Sequence, residues 1–207
     1  MDAEKKHKLI SLIPNGLTLG RLVLTVIFLG MVLYAPRLGQ EEISDYLLAA
    51  FIVFVVAGLT DIIDGKVARA FGVVSKFGRM VDPLADKILV CGAFVCFAII
   101  GEPRLDNFDI APTTLVIIRW VIAWILIGRE ILVTVLRQLA EARGISFAAT
   151  ASGKLKMFLQ SFAIGTVIIK WAYVTRVWGD WFAVVTFVLM VASTIISGVR
   201  SLNRPRG

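Results

Sequence analysis

Six apolar runs constrain this chain more than any other feature. They fall at roughly 17–34, 46–59, 88–100, 112–128, 157–173 and 181–198 of 207 residues. About 20 apolar residues carry a helix across a hydrocarbon core, and in lipid a helix is one of the few structures that satisfies its own backbone. Two of the runs are short, which predicts helices continuing into charged neighbours. The composition agrees: 58% of residues are hydrophobic and 18% charged, against about a quarter charged in a soluble domain. The mean hydropathy is +0.84. The expectation is an all-α integral membrane protein, a single domain over 1–207 built as a bundle of six transmembrane helices.

The placement of charge predicts an orientation. Stretches 35–45, 101–112 and 171–180 hold Arg37, Arg104 and Arg176 against Glu41, Glu42, Asp45, Glu102, Asp106, Asp109 and Asp180. The alternate segments hold Lys5, Lys6, Lys8, Lys76, Arg79, Arg137, Arg143, Lys154, Lys156, Arg200, Arg204 and Arg206. Lys and Arg collect on the cytoplasmic side, so both termini and the two basic loops are expected there. Every basic stretch is juxtamembrane, which favours anionic membrane lipids as partners and argues against nucleic acid, despite the net charge of +7.

Residues 1–13 run from charged to apolar, as a short surface helix would, and Pro14-Asn15-Gly16 is expected to break the chain before the first span. The apolar run that follows is long and lacks a small-residue cleavage site, unlike a removable signal. Cys91 and Cys96 read as ordinary buried thiols, and His7 supports no catalytic role. The chain shows no internal repeat, which weakens a transporter built from duplicated halves.

Between the second and third runs stands DIIDGKVARAFGVVSKFGRMVDPLADK, residues 61–87. Asp61 and Asp64 are three apart and Asp82 and Asp86 four apart, so each pair shares a helix face. A hairpin through 70–81, turning at Gly72 and Gly78, would bring the pairs together. Four carboxylates beside a membrane repel one another unless cations lie between them, and acids so placed are functional by default. Oxygen-only ligands select a hard cation, Mg²⁺ or Mn²⁺; this many carboxylates suggest two ions bridged by a diphosphate. Gly65 and Ala68 keep the helix surface small, Arg69 projects to the same side to neutralise a phosphate, and Ser75 offers a hydroxyl. In the bland alternative Asp82 is only a helix N-cap followed by Pro83, and Asp61 and Asp64 end their helix among headgroups.

The pattern Asp61-x-x-Asp64-Gly65-x-x-Ala68-Arg69, eight residues, then Gly78-x-x-x-Asp82-x-x-x-Asp86 resembles the signature of the CDP-alcohol phosphotransferases. That resemblance implies a six-helix membrane fold and an enzyme that cleaves a CDP-linked alcohol at its diphosphate, with CMP as leaving group. Pro14-Asn15-x-x-Thr18-x-x-Arg21, Asp82-Pro83-x-Ala85-Asp86-Lys87, Arg129-Glu130 and Ala151-Ser152-Gly153-Lys154-x-Lys156 resemble the branch with CDP-diacylglycerol as donor and sn-glycerol 3-phosphate as acceptor. Met157 stands where that branch commonly has Thr. By resemblance, Asp61, Asp64 and Asp82 hold the metal pair. Asp86 joins the second ion and serves as general base. Asn15, Thr18, Gly65, Ala68, Arg69, Ser75 and Gly78 form the donor site. A doubly charged acceptor needs a basic pocket, for which Arg129, Arg137, Lys154 and Lys156 are the candidates. The resemblance also implies a homodimer in a bacterial inner membrane, with its site facing the cytoplasm.

Rival readings stay open at this stage. The same fold and donor could serve inositol phosphate, serine or phosphatidylglycerol. An intramembrane prenyltransferase also binds diphosphate through Asp and Mg²⁺, but its acidic motifs lie far apart in repeated halves. An ion or proton carrier would place acids in the middle of several spans, which this chain does not.

Overall fold

The structure, a computed structural model, describes the backbone of residues 3–39, 41–71, 76–143 and 151–202. Within those helices the side chains of 3–15, 17, 18, 61–71, 76–84, 141, 151 and 152 fall outside the described residues. Six helices follow in order: α1 Ala3–Tyr34, α2 Ile43–Phe71, α3 Lys76–Ile100, α4 Pro112–Ala142, α5 Ala151–Tyr173 and α6 Val177–Leu202. A 3₁₀ turn, Ala35–Arg37, follows α1, and the described residues contain no strand. Four segments are long and apolar enough to cross a membrane: Leu19–Arg37, Ile43–Thr60, Gly153–Tyr173 and Val177–Leu202. The remaining two helices carry more charge, with Asp82, Asp86 and Lys87 on α3 and Arg119, Arg129, Glu130 and Arg137 on α4.

The chain divides into two compact units, 1–93 and 94–207. In the first, α1 packs along α2. Among the described side chains the buried positions of α1 are Arg21, Thr25, Phe28 and Val32, continued by Ala35 of the 3₁₀ turn, and those of α2 are Leu47, Ala50, Phe54 and Ala57. Steps of three and four make each set one helical stripe. Phe28 meets Phe54 with ring centroids 5.3 Å apart. The other faces are apolar too: Val23, Val26, Ile27, Ile52, Val55 and Leu59 are exposed. A helix apolar on its outer face is suited to lipid. Gly92 of α3 lets Leu29 of α1 come close; a Cβ there would stand 2.8 Å from Leu29 Cδ1. Small residues permit such approaches between membrane helices.

Two local expectations need correction. α1 runs unbroken from Ala3 to Tyr34, so Pro14-Asn15-Gly16 lies inside it and no separate surface helix precedes the first span. A proline deprives only the carbonyl four residues back of its donor, and a 32-residue helix retains its bonds on both sides. Membrane helices commonly tolerate such a residue. Likewise α3 begins at Lys76, so Gly78 belongs to the helix and not to the turn. Asp82 is the seventh residue of α3, which rules it out as the N-cap of that helix.

In the second unit α6 packs against both α4 and α5. Its N-terminal end is tied by a polar knot. Lys170, near the end of α5, pairs with Asp180 Oδ1 at 2.8 Å and donates to the Arg104 carbonyl at 2.5 Å. Asp180 Oδ2 accepts from the Asn107 backbone N–H at 3.1 Å and from its side-chain amide at 2.7 Å. Arg119, on α4, donates to the Pro103 carbonyl at 2.9 Å, so this arginine fastens the 101–111 loop. Glu102 accepts from the Arg104 N–H at 2.9 Å and pairs with its guanidinium at 3.2 Å. Burial pushes the Glu102 carboxyl above the usual carboxylate range, against the opposing pull of Arg104, Lys170 and Arg119.

Two stability predictions follow from this knot. Asp180 is buried, so Asp180→Ala strands the Lys170 ammonium and should destabilise the protein by about 3 kcal/mol, measured by thermal unfolding in detergent. Lys170→Met combined with Asp180→Leu should recover most of that loss. Glu102 binds its proton more tightly folded than unfolded, so its contribution is present below its ordinary pKa and is lost as pH rises through the folded value. The gain in melting temperature from Glu102→Gln should therefore grow as pH rises above the ordinary glutamate pKa of about 4.3; a gain independent of pH would contradict this.

Candidate active site

The aspartates sit on the helix ends that flank the 72–75 connection. Positions 61 and 64 lie in the last three turns of α2 and share a face; positions 82 and 86 share a face of α3. Gly65, Ala68 and Arg69 continue α2, and Asn15 and Thr18 belong to α1. The side chains of Asn15, Thr18, Asp61, Asp64, Gly65, Ala68, Arg69, Gly78 and Asp82 lie outside the described residues, as does Ser75 entirely. Asp86 is described and is half-buried. Among the described residues no three His, Cys, Asp or Glu side chains group as a metal site. Carboxylate alone is the donor chemistry that the α2 and α3 positions supply. That set suits a hard divalent cation, so the residues present fit the metal that the motif implies.

A second polar centre lies in the second unit. Arg129 and Glu130 are consecutive on α4, Lys156 opens the buried stripe of α5, and Ser197 lies on α6. Arg129 Nη2 donates to Ser197 Oγ at 2.6 Å, and its Nη1 donates to Glu130 Oε1 at 3.0 Å. Lys156 Nζ pairs with the same Glu130 oxygen. Lys156 is 4% exposed, and in so apolar a setting its charge requires a partner. Among the described residues one carboxylate thus holds two cations, an excess of one positive charge.

Of the four basic candidates, the structure brings Arg129 and Lys156 together and leaves Lys154 and Arg137 exposed. Helical geometry explains the division. Residues 154 and 156 point about 200° apart, and the eight-residue step from 129 to 137 drifts about 80° at 3.6 residues per turn. Met157 is 44% exposed on the outward side of α5, so a threonine there would not line the buried stripe. Two members of the cluster had no assigned role from the sequence. Glu130 stood within a quoted motif, yet nothing in the sequence marked it as the shared partner. Ser197 gave no signal, because its role depends on α6 lying against α4.

Residues 11–196 match the family described as CDP-alcohol phosphatidyltransferase. The chain belongs to that family. It is 36% identical over 163 residues to a Bacillus subtilis protein named CDP-diacylglycerol–glycerol-3-phosphate 3-phosphatidyltransferase, covering 76% of each chain. A Mycobacterium tuberculosis relative, named probable phosphatidylglycerophosphate synthase, is 33% identical over 195 residues, covering 94% of this chain and 82% of the relative. A Salmonella choleraesuis relative with the same name as the Bacillus protein is 29% identical over 197 residues, covering 94% and 95%.

The cluster yields an asymmetric expectation. Glu130→Ala leaves two cations uncompensated and should cost about 3–5 kcal/mol of stability. Ser197→Ala removes one bond to a charged group and should cost about 1.5 kcal/mol. Melting temperatures of the two purified variants in one detergent decide the matter; equal losses would mean that Glu130 is not the centre of the cluster.

Proposed function

We propose that this protein transfers the phosphatidyl group of CDP-diacylglycerol to sn-glycerol 3-phosphate, giving phosphatidylglycerophosphate and CMP in phospholipid biosynthesis. The observation that carries the acceptor assignment is the Arg129–Glu130–Lys156 cluster, whose excess positive charge suits a doubly charged phosphate monoester. The relatives' names favour glycerol 3-phosphate among such acceptors.

Asp61, Asp64, Asp82 and Asp86 would hold two divalent cations, Mg²⁺ or Mn²⁺. Such ions, when bound, draw charge from the diphosphate and stabilise CMP as it leaves. Asp86 takes the proton from the acceptor hydroxyl as that oxygen attacks the β-phosphorus of the donor. The new P–O bond forms as the bond to CMP breaks, with no covalent enzyme intermediate. Arg69, with Asn15, Thr18 and Ser75, holds the cytidine diphosphate, and Gly65, Ala68 and Gly78 keep the helix surfaces open to it. Arg129 and Lys156 hold the acceptor phosphate, while Lys154 and Arg137, exposed, draw the anion in from solvent.

A lipid donor and a water-soluble acceptor meet only at the membrane boundary, which accounts for acids between apolar runs. The charge pattern supports six spans with the aspartates facing the cytoplasm, in the inner membrane of a bacterium. A homodimer is part of the same proposal, on family grounds.

The test is CMP release by purified protein with CDP-diacylglycerol, Mg²⁺ and glycerol 3-phosphate, beside Asp86→Asn. Omitting metal or acceptor should abolish release, and the variant should lose about 10²-fold or more in kcat while keeping the wild-type melting temperature. Release that ignores glycerol 3-phosphate would discard the acceptor. Full activity in Asp86→Asn would discard the base.

A further inference from the structure

Lys156 and Gln160 are one turn apart on α5, so their side chains are neighbours on one helix face. Both are buried, and Gln160 is 1% exposed. The stripe they open continues with Ala163, Ile164, Val167 and Ile168, all buried and all apolar. Gln160 stands one turn beyond Lys156 of the cluster; past it the one buried polar side chain among the described residues of α5 is Thr166, whose hydroxyl donates to the Phe162 carbonyl. The Gln160 amide Nε2 has no hydrogen-bond partner in the structure, and neither has Arg129 Nε. A buried donor left unfilled costs about 1–3 kcal/mol. Glutamine has no packing advantage over leucine that would offset such a cost. Two unfilled N–H donors beside an excess positive charge describe a place for the oxygens of an anion.

We propose that Gln160 is a specificity-determining residue of the acceptor site, donating its amide N–H to an oxygen of the acceptor's phosphate beside Arg129 and Lys156. This rests on the transferase function proposed above. The neutral amide adds a directional bond without adding charge, so it distinguishes a phosphate correctly seated from an anion merely attracted. Selection of this kind is strong because a partner lacking the right oxygen leaves the donor buried and unfilled.

The experiment is steady-state kinetics of Gln160→Leu, which keeps the bulk and removes the donors, with each substrate varied in turn. The expected result is a rise of about tenfold in KM for glycerol 3-phosphate, matching the loss of one bond to a charged group. KM for CDP-diacylglycerol should be unchanged, and the melting temperature of the substrate-free protein should be unchanged or higher, because an unfilled donor has been removed. A purely structural glutamine predicts the opposite, a lowered melting temperature with both KM values moving together, and that result overturns the proposal. So does an unchanged acceptor KM in a folded variant. Should the leucine variant fail to fold, Gln160→Asn, which withdraws the amide by one methylene, should raise the acceptor KM in the same selective way; an unchanged value there overturns the proposal too. A wild-type enzyme indifferent to glycerol 3-phosphate would remove the underlying function, whereas a responsive wild type beside an unaffected variant removes Gln160 alone.

Discussion

A charge inside an apolar bundle persists only where a partner holds it, and the second unit is organised by that requirement. Glu130 answers Arg129 and Lys156 at one end, and Asp180 answers Lys170 at the other. Between these two centres the interior of α5 is apolar from Ala163 to Ile168 except at Thr166, whose hydroxyl donates to the Phe162 carbonyl. Neither pair is an efficient way to stabilise a fold, since leucines of similar volume would often serve as well. Their persistence in an interior this apolar calls for another purpose. At the outer end that purpose is architectural: Lys170 and Asp180 gather Arg104 and Asn107, so the 101–111 loop is closed over the helix ends. At the inner end the charges do not cancel, and the surplus is what an anionic substrate would use.

The first unit follows a related logic with the opposite sign. Its helices carry apolar side chains on exposed and buried faces alike, which leaves the polar residues conspicuous. The proposed function gives the acids at positions 61, 64, 82 and 86 cations to hold, since carboxylates brought together do not all stay ionised without them. In the proposed function these carboxylates hold a metal, which in turn takes phosphate oxygens of the donor. In that reading the acids serve the metal-bound diphosphate and the basic residues of the second unit serve the phosphomonoester.

How much of this the sequence disclosed varies with the physics of each feature. Helix positions were legible because apolar runs of bilayer length have few alternatives, and all six runs fall within helices of the structure. Helix ends were not. Pro14 and Gly78 look like punctuation in isolation, but each sits within a helix long enough to absorb it. The aspartate motif was legible through spacing alone, since steps of three and four fix a shared face whatever surrounds them. The basic pocket was only half legible. Four cations near span ends all satisfy the same orientation rule, and helical phase, which needs the true packing face, separates Lys156 from Lys154. Ser197 lay beyond reach, being 68 residues from the arginine that it holds. Gln160 was invisible as a site because a glutamine becomes informative only once it is known to be buried with a donor unfilled.

The central claim is that this chain joins a CDP-linked lipid to an anionic acceptor, held by Arg129 and Lys156 in the reading proposed above. Its most direct test is incorporation of labelled acceptors into chloroform-soluble product by the purified protein with CDP-diacylglycerol and Mg²⁺, with glycerol 3-phosphate, inositol phosphate and serine supplied in competition. Label entering lipid from glycerol 3-phosphate, in step with CMP release and with little from the others, is the predicted outcome. Label from serine, which carries no net charge to answer Arg129 and Lys156, would contradict the account at its base.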